Sequence, residues 1–408
     1  MEKVFDLPRR LRAVRDTRSQ GRIPAFALTA SLFLAAVLRV PSLLQLEKET
    51  ARKAWRRLIR WKKKISDDAF DYELERYNLE DLRQVLVSAN QTLKRNKALE
   101  PAKIHGLLVV ALDANEQFKS RHRCCEACCQ RQIEVKDACG QTQKVTEYYH
   151  RQVYAQIHGP HLSTILDLEP VRPGEDEAAA ALRLLGRMRR LYGPRFFDVI
   201  TVDAWYSTGP FVRAVRRLGW GVVSVLKQER YDIYQEAGAL SAGQKPQIFE
   251  WNQRTVRLRE VKNLPFTDTK IGEMRVVLAD EQWRENQRRG PATLAVDKSS
   301  HWRWLVDSSL DAYAGPVIHQ IGHQRWGVEN HAFNELTKFY HLTHCPHHHP
   351  VAIVAWLLFR VLGFIFFEFF ARLNSKLWRE GRATLQDLAK QLDRALEAVS
   401  ELQPLWSG

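Results

Sequence analysis

The chain has 408 residues and a formal net charge of +15, which excludes an acidic surface overall. Its length allows a large hydrophobic core and two or three subdomains. The positive excess is uneven, since residues 1–100 carry 22 Lys plus Arg against 13 Asp plus Glu. A polyanion such as nucleic acid is the partner that this bias favours. A basic protein whose charges only keep it in solution is the alternative.

The amino-terminal residues argue against secretion. Residues 1–22 are charged throughout, and the apolar stretch Ile23–Leu38 has no convincing cleavage site. We therefore expect a cytoplasmic, nucleoid-associated protein whose six cysteines are reduced. In a reducing compartment a metal site is a better interpretation of those cysteines than disulfides.

Two apolar stretches approach the length of a membrane span, Ile23–Leu38 and Val351–Ala371. Arg360 and Glu368 interrupt the second stretch, and a charge at bilayer depth is costly. Both stretches are therefore predicted to be buried helices, the second with one edge turned toward water or DNA. A membrane protein is the distant alternative.

From Glu47 to Leu99 the pattern is helical, and basic residues crowd the part between Arg52 and Lys64. Capping residues at Ser66 and Asn78 begin further helices. The pattern predicts a small α-helical domain with one basic face that contacts double-stranded DNA, a solvated helix surface being the alternative. The DNA-binding residues predicted on this face are Arg56, Arg57, Lys62 and Lys63.

The next elements alternate between strands and helices. A short apolar run, Leu107–Asp113, ends on an aspartate, and the runs Lys144–His158 and His161–Val171 extend it into an antiparallel meander. A helix from Pro173, a second apolar run at Asp198–Asp203, a helix at Pro210–Leu218 and a strand at Gly221–Leu226 follow.

This order is that of the ribonuclease H-like fold, in which the first and fourth strands lie side by side. The fold class predicted is therefore α/β, with a ribonuclease H-like mixed sheet and an amino-terminal α-helical domain. Asp113 and Asp203, each at the end of one of those strands, are predicted to face each other. Their pairing follows from the topology and does not depend on their separation along the chain.

Residues 227–316 interrupt this core before the next helix. They contain β-like runs such as Thr255–Val261 and Met274–Leu278, which predict an inserted β subdomain. A helix is then predicted over His323–His341. The predicted domains are the DNA-binding helices (1–103), the first part of the catalytic core (104–226), the β-rich insertion (227–316), the helices that complete the core (317–375) and a helical tail (376–408).

The predicted helix at His323–His341 carries a third acid, Glu329. Arg325 lies one turn before Glu329, so a cation beside the acid can hold a phosphate, a surface ion pair being the alternative. Two strand-end aspartates and one helix glutamate suit a pair of magnesium ions. The competing acids, interpreted as second choices, are Glu116, Asp198 and Glu335.

A run of cysteines follows the first predicted strand. Residues 122–129 read His-Arg-Cys-Cys-Glu-Ala-Cys-Cys, with a further cysteine at position 139. Thiolates at this spacing suit a structural Zn²⁺. The predicted ligands are Cys124 or Cys125, Cys128 or Cys129, Cys139 and His122, with buried free thiols as the alternative. The histidines within residues 341–349 are interpreted as a polar linker, a metal site being the weaker alternative.

Around the three acids the chain resembles the DDE transposases of bacterial insertion sequences, in the branch with a β insertion and a YREK-type signature. The matching contexts are Ala-Leu-Asp-Ala-Asn-Glu at Asp113, Thr-Val-Asp-Ala-Trp-Tyr-Ser at Asp203 and Arg-Trp-Gly-Val-Glu-Asn at Glu329. The resemblance extends over roughly residues 107–371. Two positions depart from the signature, because Gly322 replaces its tyrosine and Leu336 its lysine.

The resemblance implies an enzyme that uses Mg²⁺ or Mn²⁺ to cleave phosphodiesters at element ends and then joins the 3′-hydroxyl to target DNA. Asp113 would bridge both ions, Asp203 would bind directly, and Glu329 would complete the second ion's shell. Arg325 and Lys338 would contact DNA, and a homodimer would hold two element ends. A nuclease without strand transfer and an inactive DNA-binding relative are the alternatives.

Overall fold

The computed structural model describes residues 2–19, 21–137, 140–159, 163–268, 270–289, 292–327 and 332–399. The chain forms two compact units. The first unit is built from Met1–Ala102, Ala114–Ala180 and Glu329–Gly408, and the second from Lys103–Asp113 and Ala181–Val328. A strand at Val109–Ser120, β1, runs from the second unit into the first.

The amino-terminal part of the first unit is α-helical, as predicted. Its helices are α1 (Glu2–Phe5), α2 (Leu7–Arg12), α3 (Ala25–Val37), α4 (Leu43–Thr50), α5 (Lys53–Leu58), α6 (Asp67–Leu74) and α7 (Leu79–Arg95). Asn78 caps α7, because its side chain accepts the backbone N–H groups of Glu80 and Asp81. The predicted helical pattern does not extend over the whole basic stretch between Arg52 and Lys64, because α5 ends at Leu58 and Lys62 and Lys63 lie in the segment that follows.

The strands that follow in the first unit are β2 (Cys129–Lys136), β3 (Thr142–His158) and β4 (Ser163–Pro170). Strand β3 pairs antiparallel with β2 through its first half and with β4 through its second half. β3 and β4 correspond to the second and third predicted strands, although His161 lies outside the described residues. The prediction missed β2, because this half-exposed strand is mostly polar and has only two aliphatic residues, Ile133 and Val135.

The next elements are α8 (Glu177–Tyr192), β5 (Val199–Val202), α9 (Gly209–Leu218), β6 (Gly221–Val225), α10 (Asp232–Ser241), β7 (Gln247–Trp251), β8 (Arg254–Pro265), β9 (Glu273–Arg289), β10 (Ala292–Asp307) and α11 (Gly315–Gly327). In the second unit β1, β5 and β6 are parallel neighbours. The antiparallel order β6, β10, β9, β8, β7 continues the sheet. The large mixed sheet predicted from the sequence is therefore confirmed, and the strands of the insertion extend it.

Helix α11 covers the sheet of the second unit. Its apolar residues Val317, Ile318 and Ile321 pack with Val199 on β5 and Val223 on β6. The helix begins at Gly315, eight residues before the predicted start at His323. The Gly-Pro pair at 315–316 forms its first turn, although the sequence suggested a loop there. Residues 328–331 lie outside the described part of the chain.

The first unit is completed by α12 (Asn334–Phe339), α13 (Pro350–Phe369), α14 (Lys376–Arg379) and α15 (Leu385–Val399). Helix α13 packs against α3, α6, α7 and β4. It crosses α3 closely, since a Cβ on Gly363 would lie 2.6 Å from the backbone of Ala36. The two predicted apolar helices are thus neighbours in the core of this unit.

Among the described residues, one stretch, Pro350–Arg372, has the length and apolar composition of a membrane span. The most apolar part of this stretch is 89% buried within the structure. The core helix of a soluble protein can have the same length and composition. The predicted polar edge is wrong, because Arg360 and Glu368 are both buried. The Arg360 guanidinium lies 3.8 Å from the Trp356 ring centroid, and Glu368 accepts a hydrogen bond from Arg372 at 2.5 Å.

Candidate active site

The first predicted acid, Asp113, lies within a strand and not at its end, because β1 continues to Ser120. Strands β1 and β5 are parallel and in register, with Ala111 opposite Thr201. Parallel strands advance together, so Asp113, two residues after Ala111, is level with Asp203, two residues after Thr201.

Asp203 immediately follows the last residue of β5 and begins a short 3₁₀ turn at Ala204–Tyr206. Its Oδ1 accepts the backbone N–H of Trp205 at 2.8 Å, which fixes the orientation of the carboxylate. The Trp205 side chain itself is 63% exposed. This exposed aromatic residue beside the acid was not among the predicted site residues.

Asp113 and Asp203 therefore lie on neighbouring strands, which are about 4.8 Å apart in a sheet. Both side chains are half-buried. Carboxylate oxygens in such an arrangement are the ligands that magnesium prefers. The adjacency expected from the topology is present, and the role of these two residues as metal ligands stays a prediction.

Arg325 lies beside the first acid. Its guanidinium Nη1 is 3.4 Å from Oδ2 of Asp113, and its side chain is largely buried on α11. Gly322 lies one turn before Arg325, at the position where the signature has a tyrosine, and its surroundings explain the difference. A Cβ at Gly322 would lie 2.5–2.7 Å from the Trp304 ring, so no larger side chain fits there without a shift.

The other predicted residues near the third acid belong to the first unit. Glu329 itself lies outside the described residues, so its placement stays a prediction. Leu336, at the position of the signature lysine, is buried in the core. Lys338, two residues further along the chain, is exposed on α12 and thus available for contact with DNA.

The competing acids are engaged in other contacts. Glu116 accepts hydrogen bonds from Arg131 and Arg151, and although burial would raise its pKa, Lys119 and these arginines lower the pKa overall. The Asp198 carboxylate accepts a hydrogen bond from the backbone N–H of Leu108 at 2.8 Å. This bond links the residues that precede β1 and β5.

Glu335 is the third competing acid, and it lies near another carboxylate. Burial, followed by the charge of Glu368 and a hydrogen bond with it, raises the pKa of Glu335 to about 7. A carboxyl group that is half-protonated near neutral pH is a poor magnesium ligand. Glu335 therefore remains a second choice.

The predicted DNA-binding residues of the amino-terminal region are mostly at the surface. Arg57, Lys62 and Lys63 are exposed. Arg56 is half-buried, and its guanidinium donates a hydrogen bond to the carbonyl oxygen of Lys62 at 3.0 Å. Three exposed cations at the end of α5 and in the following segment are consistent with a contact to DNA phosphates.

The predicted zinc ligands are only partly brought together. Cys124 is exposed, and Cys139 lies outside the described residues. Cys128 is buried and forms, with Cys125, His150 and His348, a group whose ligand atoms lie within 4.8 Å of one another. We call these four residues the Cys-His cluster. His348 is one of the histidines for which a metal site was the weaker alternative, whereas no motif in the sequence pointed to His150 as a ligand.

A second buried group, Glu281, His319 and His323, lies in the second unit and was also missed. We call it the Glu281 cluster. The Nε2 atoms of His319 and His323 lie 3.1 and 2.6 Å from Oε1 of Glu281. Arg254 and Ser300 donate to Oε2 at 2.5 and 2.9 Å. Burial alone would raise the pKa of Glu281, but the hydrogen bonds from the two histidines and Arg254 outweigh it and lower that pKa.

Comparison with known proteins identifies a family. A family model described as "Transposase DDE domain" matches residues 137–364, more than half of the chain. The matched range contains Asp203 and begins after Asp113. The comparison with curated proteins gave no match.

Among solved structures, the chain is similar to a cryo-EM structure of the piggyBac transposase synaptic complex with hairpin DNA. The TM-score is 0.42 and the sequence identity 12%, over 96% of this chain and 75% of that one.

Proposed function

The chain belongs to the DDE transposase family, and on this premise we propose that it cleaves phosphodiesters at the ends of an insertion sequence and joins the 3′-hydroxyl to target DNA. The single observation that carries the proposal is the level placement of Asp113 and Asp203 on adjacent parallel strands. Two carboxylates so placed, with an arginine beside one of them, suit phosphoryl transfer better than acyl or hydride chemistry.

The side chains present are compatible with the divalent ions that the family uses. Asp113 and Asp203 offer hard oxygen ligands, and Glu329 would complete the set. The Arg325 contact shows that a positive charge is accommodated at Asp113. Bound Mg²⁺ or Mn²⁺ would supply activation of the attacking oxygen and stabilisation of the departing one.

The protein's own cations would position the DNA. The guanidinium of Arg325 is held beside Asp113 by the packed helix α11, where its planar fork is suited to a phosphate. Lys338, Arg57, Lys62 and Lys63 would contact the sugar-phosphate backbone, a contribution that weakens with salt and carries no sequence information.

Two further features belong to the same proposal. Joining two ends of one element to a target requires both ends to be held together, for which a homodimer on double-stranded DNA is the simplest arrangement. The site of action would be the cytoplasm, on the nucleoid. Sedimentation of the protein with and without a duplex that carries the terminal repeats tests the dimer.

The experiment that tests the proposed function is a strand-transfer assay in Mg²⁺ with two substrates. One is an intact duplex with the terminal sequences that flank the coding region, and the other is the same end already cleaved to a 3′-hydroxyl. Asp203→Asn removes one proposed ligand charge, and we expect both cleavage and joining to fall by at least about 100-fold. Glu116→Gln is the matched control, because that carboxylate is held by arginines, and it should retain wild-type activity.

Full processing by Asp203→Asn would overturn the assignment of the site. Mg²⁺-dependent nicking without joining of the pre-cleaved end would indicate a nuclease. Binding of the terminal duplex with neither reaction in the wild type would indicate an inactive relative.

A further inference from the structure

We propose that Cys125, Cys128, His150 and His348, the Cys-His cluster, form a tetrahedral structural zinc site in the first unit. The cluster unites three segments of the chain: the turn between β1 and β2, strand β3, and the segment before α13. Its thiolate and imidazole ligands differ in chemistry from the carboxylates that are proposed to bind magnesium. The inference does not depend on the proposed reaction.

The distances between the ligand atoms match the edges of a zinc tetrahedron. With Zn–S near 2.3 Å and Zn–N near 2.0–2.1 Å, a tetrahedron has edges of about 3.8 Å for S–S, about 3.5 Å for S–N and about 3.3 Å for N–N. The two sulfur atoms of Cys125 and Cys128 are 3.8 Å apart, and the two Nε2 atoms of His150 and His348 are 3.1 Å apart.

Three of the four sulfur–nitrogen edges agree as well. His150 Nε2 lies 3.5 Å from the sulfur of Cys125 and 3.3 Å from that of Cys128. His348 Nε2 lies 3.1 Å from the sulfur of Cys128, and the remaining pair is within 4.8 Å. Two thiolates and two imidazoles in tetrahedral order select zinc over the harder magnesium, which prefers oxygen ligands.

Hydrogen bonding alone does not account for this convergence. A ring Nε2 carries at most one proton, yet Nε2 of His150 faces another ring nitrogen and two sulfur atoms at 3.1–3.5 Å. A thiol is a weak donor, so most of these contacts bring lone pairs together. A central cation converts that repulsion into attraction.

A disulfide is also a poor explanation. The sulfur atoms of Cys125 and Cys128 are 3.8 Å apart, whereas a disulfide bond is about 2.05 Å long. The backbone N–H of Cys125 donates to the sulfur of Cys128 at 3.2 Å, and the backbone N–H of Cys128 donates to the Cys125 carbonyl at 3.1 Å. The first of these hydrogen bonds stabilises the Cys128 thiolate as a metal ligand, and the second holds the turn that brings the two cysteines together.

The segment that carries His348 is anchored independently. The neighbouring His347 contacts the carboxylate of Asp71 through Nδ1 at 2.7 Å and that of Glu75 through Nε2 at 2.5 Å. His348 is thereby held toward the cluster before any metal binds. Its partners His150 and Cys128 are 198 and 220 residues away in the chain, so a bound zinc closes very long loops.

The first experiment measures zinc in the full chain by mass spectrometry after purification without added metal. We expect about one zinc per chain, as a single tetrahedral site predicts. Cys125→Ser and Cys128→Ser should each lose it. Cys124→Ser and Cys129→Ser are matched controls from the same run of residues, because Cys124 is exposed and Cys129 contacts the Val171 carbonyl.

A matched pair also exists among the histidines. His348→Asn should lose the zinc, and His349→Asn, at the next position, should keep it. Equal zinc in all variants, or loss in the control variants as well, would overturn the assignment. Zinc that depends on other histidines within residues 341–349 would also contradict it.

The second experiment uses the wild type, so it does not depend on the folding of a variant. Cobalt(II) replaces zinc, and a tetrahedral site with two thiolates gives intense visible d–d bands and a sulfur-to-cobalt charge-transfer band. Magnesium ligands such as Asp113 and Asp203 give neither band. A folded protein that contains no zinc and shows no such bands with cobalt would refute the proposal.

Discussion

Two buried clusters in this molecule contain pairs of histidines, and the two are satisfied in opposite ways. In the Glu281 cluster of the second unit, one carboxylate oxygen faces two imidazoles and the other accepts from Arg254 and Ser300. In the Cys-His cluster of the first unit, thiols and imidazoles converge, and no cationic side chain is among the contacts given above. The comparison suggests a rule that the experiments below can test: a buried pair of histidines needs no metal where a carboxylate and an arginine of the protein satisfy it, and takes one, as we propose, where thiols converge on it instead.

The Glu281 cluster instead serves as a support for α11. His319 and His323 both lie on this helix, and their rings are packed among aromatic side chains of the sheet, such as Trp251 and Trp302. The helix also carries Arg325, whose guanidinium contacts Asp113. The contacts of His319 and His323 with Glu281 thus tie to the sheet the same helix that carries the cation of the proposed reaction.

Removal of metal is the treatment that should distinguish the two clusters most strongly. A ligand at 100–1,000 times its Kd stabilises the folded state by about 3–4 kcal/mol, which corresponds to a shift of about 5–15 °C in the unfolding temperature. We expect chelation to lower the thermal midpoint of the wild type by that amount and added zinc to restore it, as measured by circular dichroism. An unchanged midpoint in zinc-containing protein after chelation would contradict a structural role.

Neutralisation of Glu281 should have the next largest effect. Glu281→Gln weakens hydrogen bonds from charged partners in a buried site, and we expect a loss of about 2–3 kcal/mol in the free energy of unfolding by urea. Zinc content should be unchanged, because the two clusters lie in different units. Glu285→Gln, an exposed position on the same strand, is the control and should alter stability little.

The smallest effect expected is a change in pH dependence. Burial lowers the pKa of His323, although a hydrogen bond to Glu281 opposes the shift. The unfolded chain then binds a proton more readily than the folded one, so stability is lost as the pH falls below about 6.5. The lowered pKa of Glu281 acts only at lower pH, where its contribution is lost below about 4.3.

His323→Asn should therefore flatten the decline of the thermal midpoint between pH 7 and pH 5. Zinc content must be followed in the same samples, because protons compete with a metal for thiolate and imidazole ligands. An equally steep decline in the variant, with zinc retained, would show that His323 does not cause it.

The parts of the fold that are formed by apolar runs were predictable from the sequence. The runs around Asp113 and Asp203 predicted two strands, and the element order of the ribonuclease H-like fold then predicted the side-by-side pairing that β1 and β5 show. The local pattern of apolar residues did not predict β2, because the residues of this strand alternate in burial but are mostly polar. It also failed to show that β1 continues beyond Asp113, because the later residues of that strand are polar as well.

The ligands of the Cys-His cluster were only half predictable. The spacing of the cysteines indicated a metal, but the choice among four neighbouring thiols depends on where β2 begins, at Cys129. The histidine ligands lie on β3 and before α13, and only the tertiary structure brings them together. The spacing of His319 and His323 was a readable helical signal, whereas their partner Glu281 lies on a distant strand.

The close crossing of α3 and α13 has a consequence for how the protein is made. Gly363 contacts Ala36, so the apolar side of α3 stays uncovered until roughly 300 further residues have been translated, which takes about 15–60 s at about 5–20 residues/s. During that interval the nascent chain exposes the apolar side of α3 that α13 later covers. A chain truncated before α13 should accordingly aggregate or be degraded, whereas the full chain should need protection from aggregation only until α13 has been made.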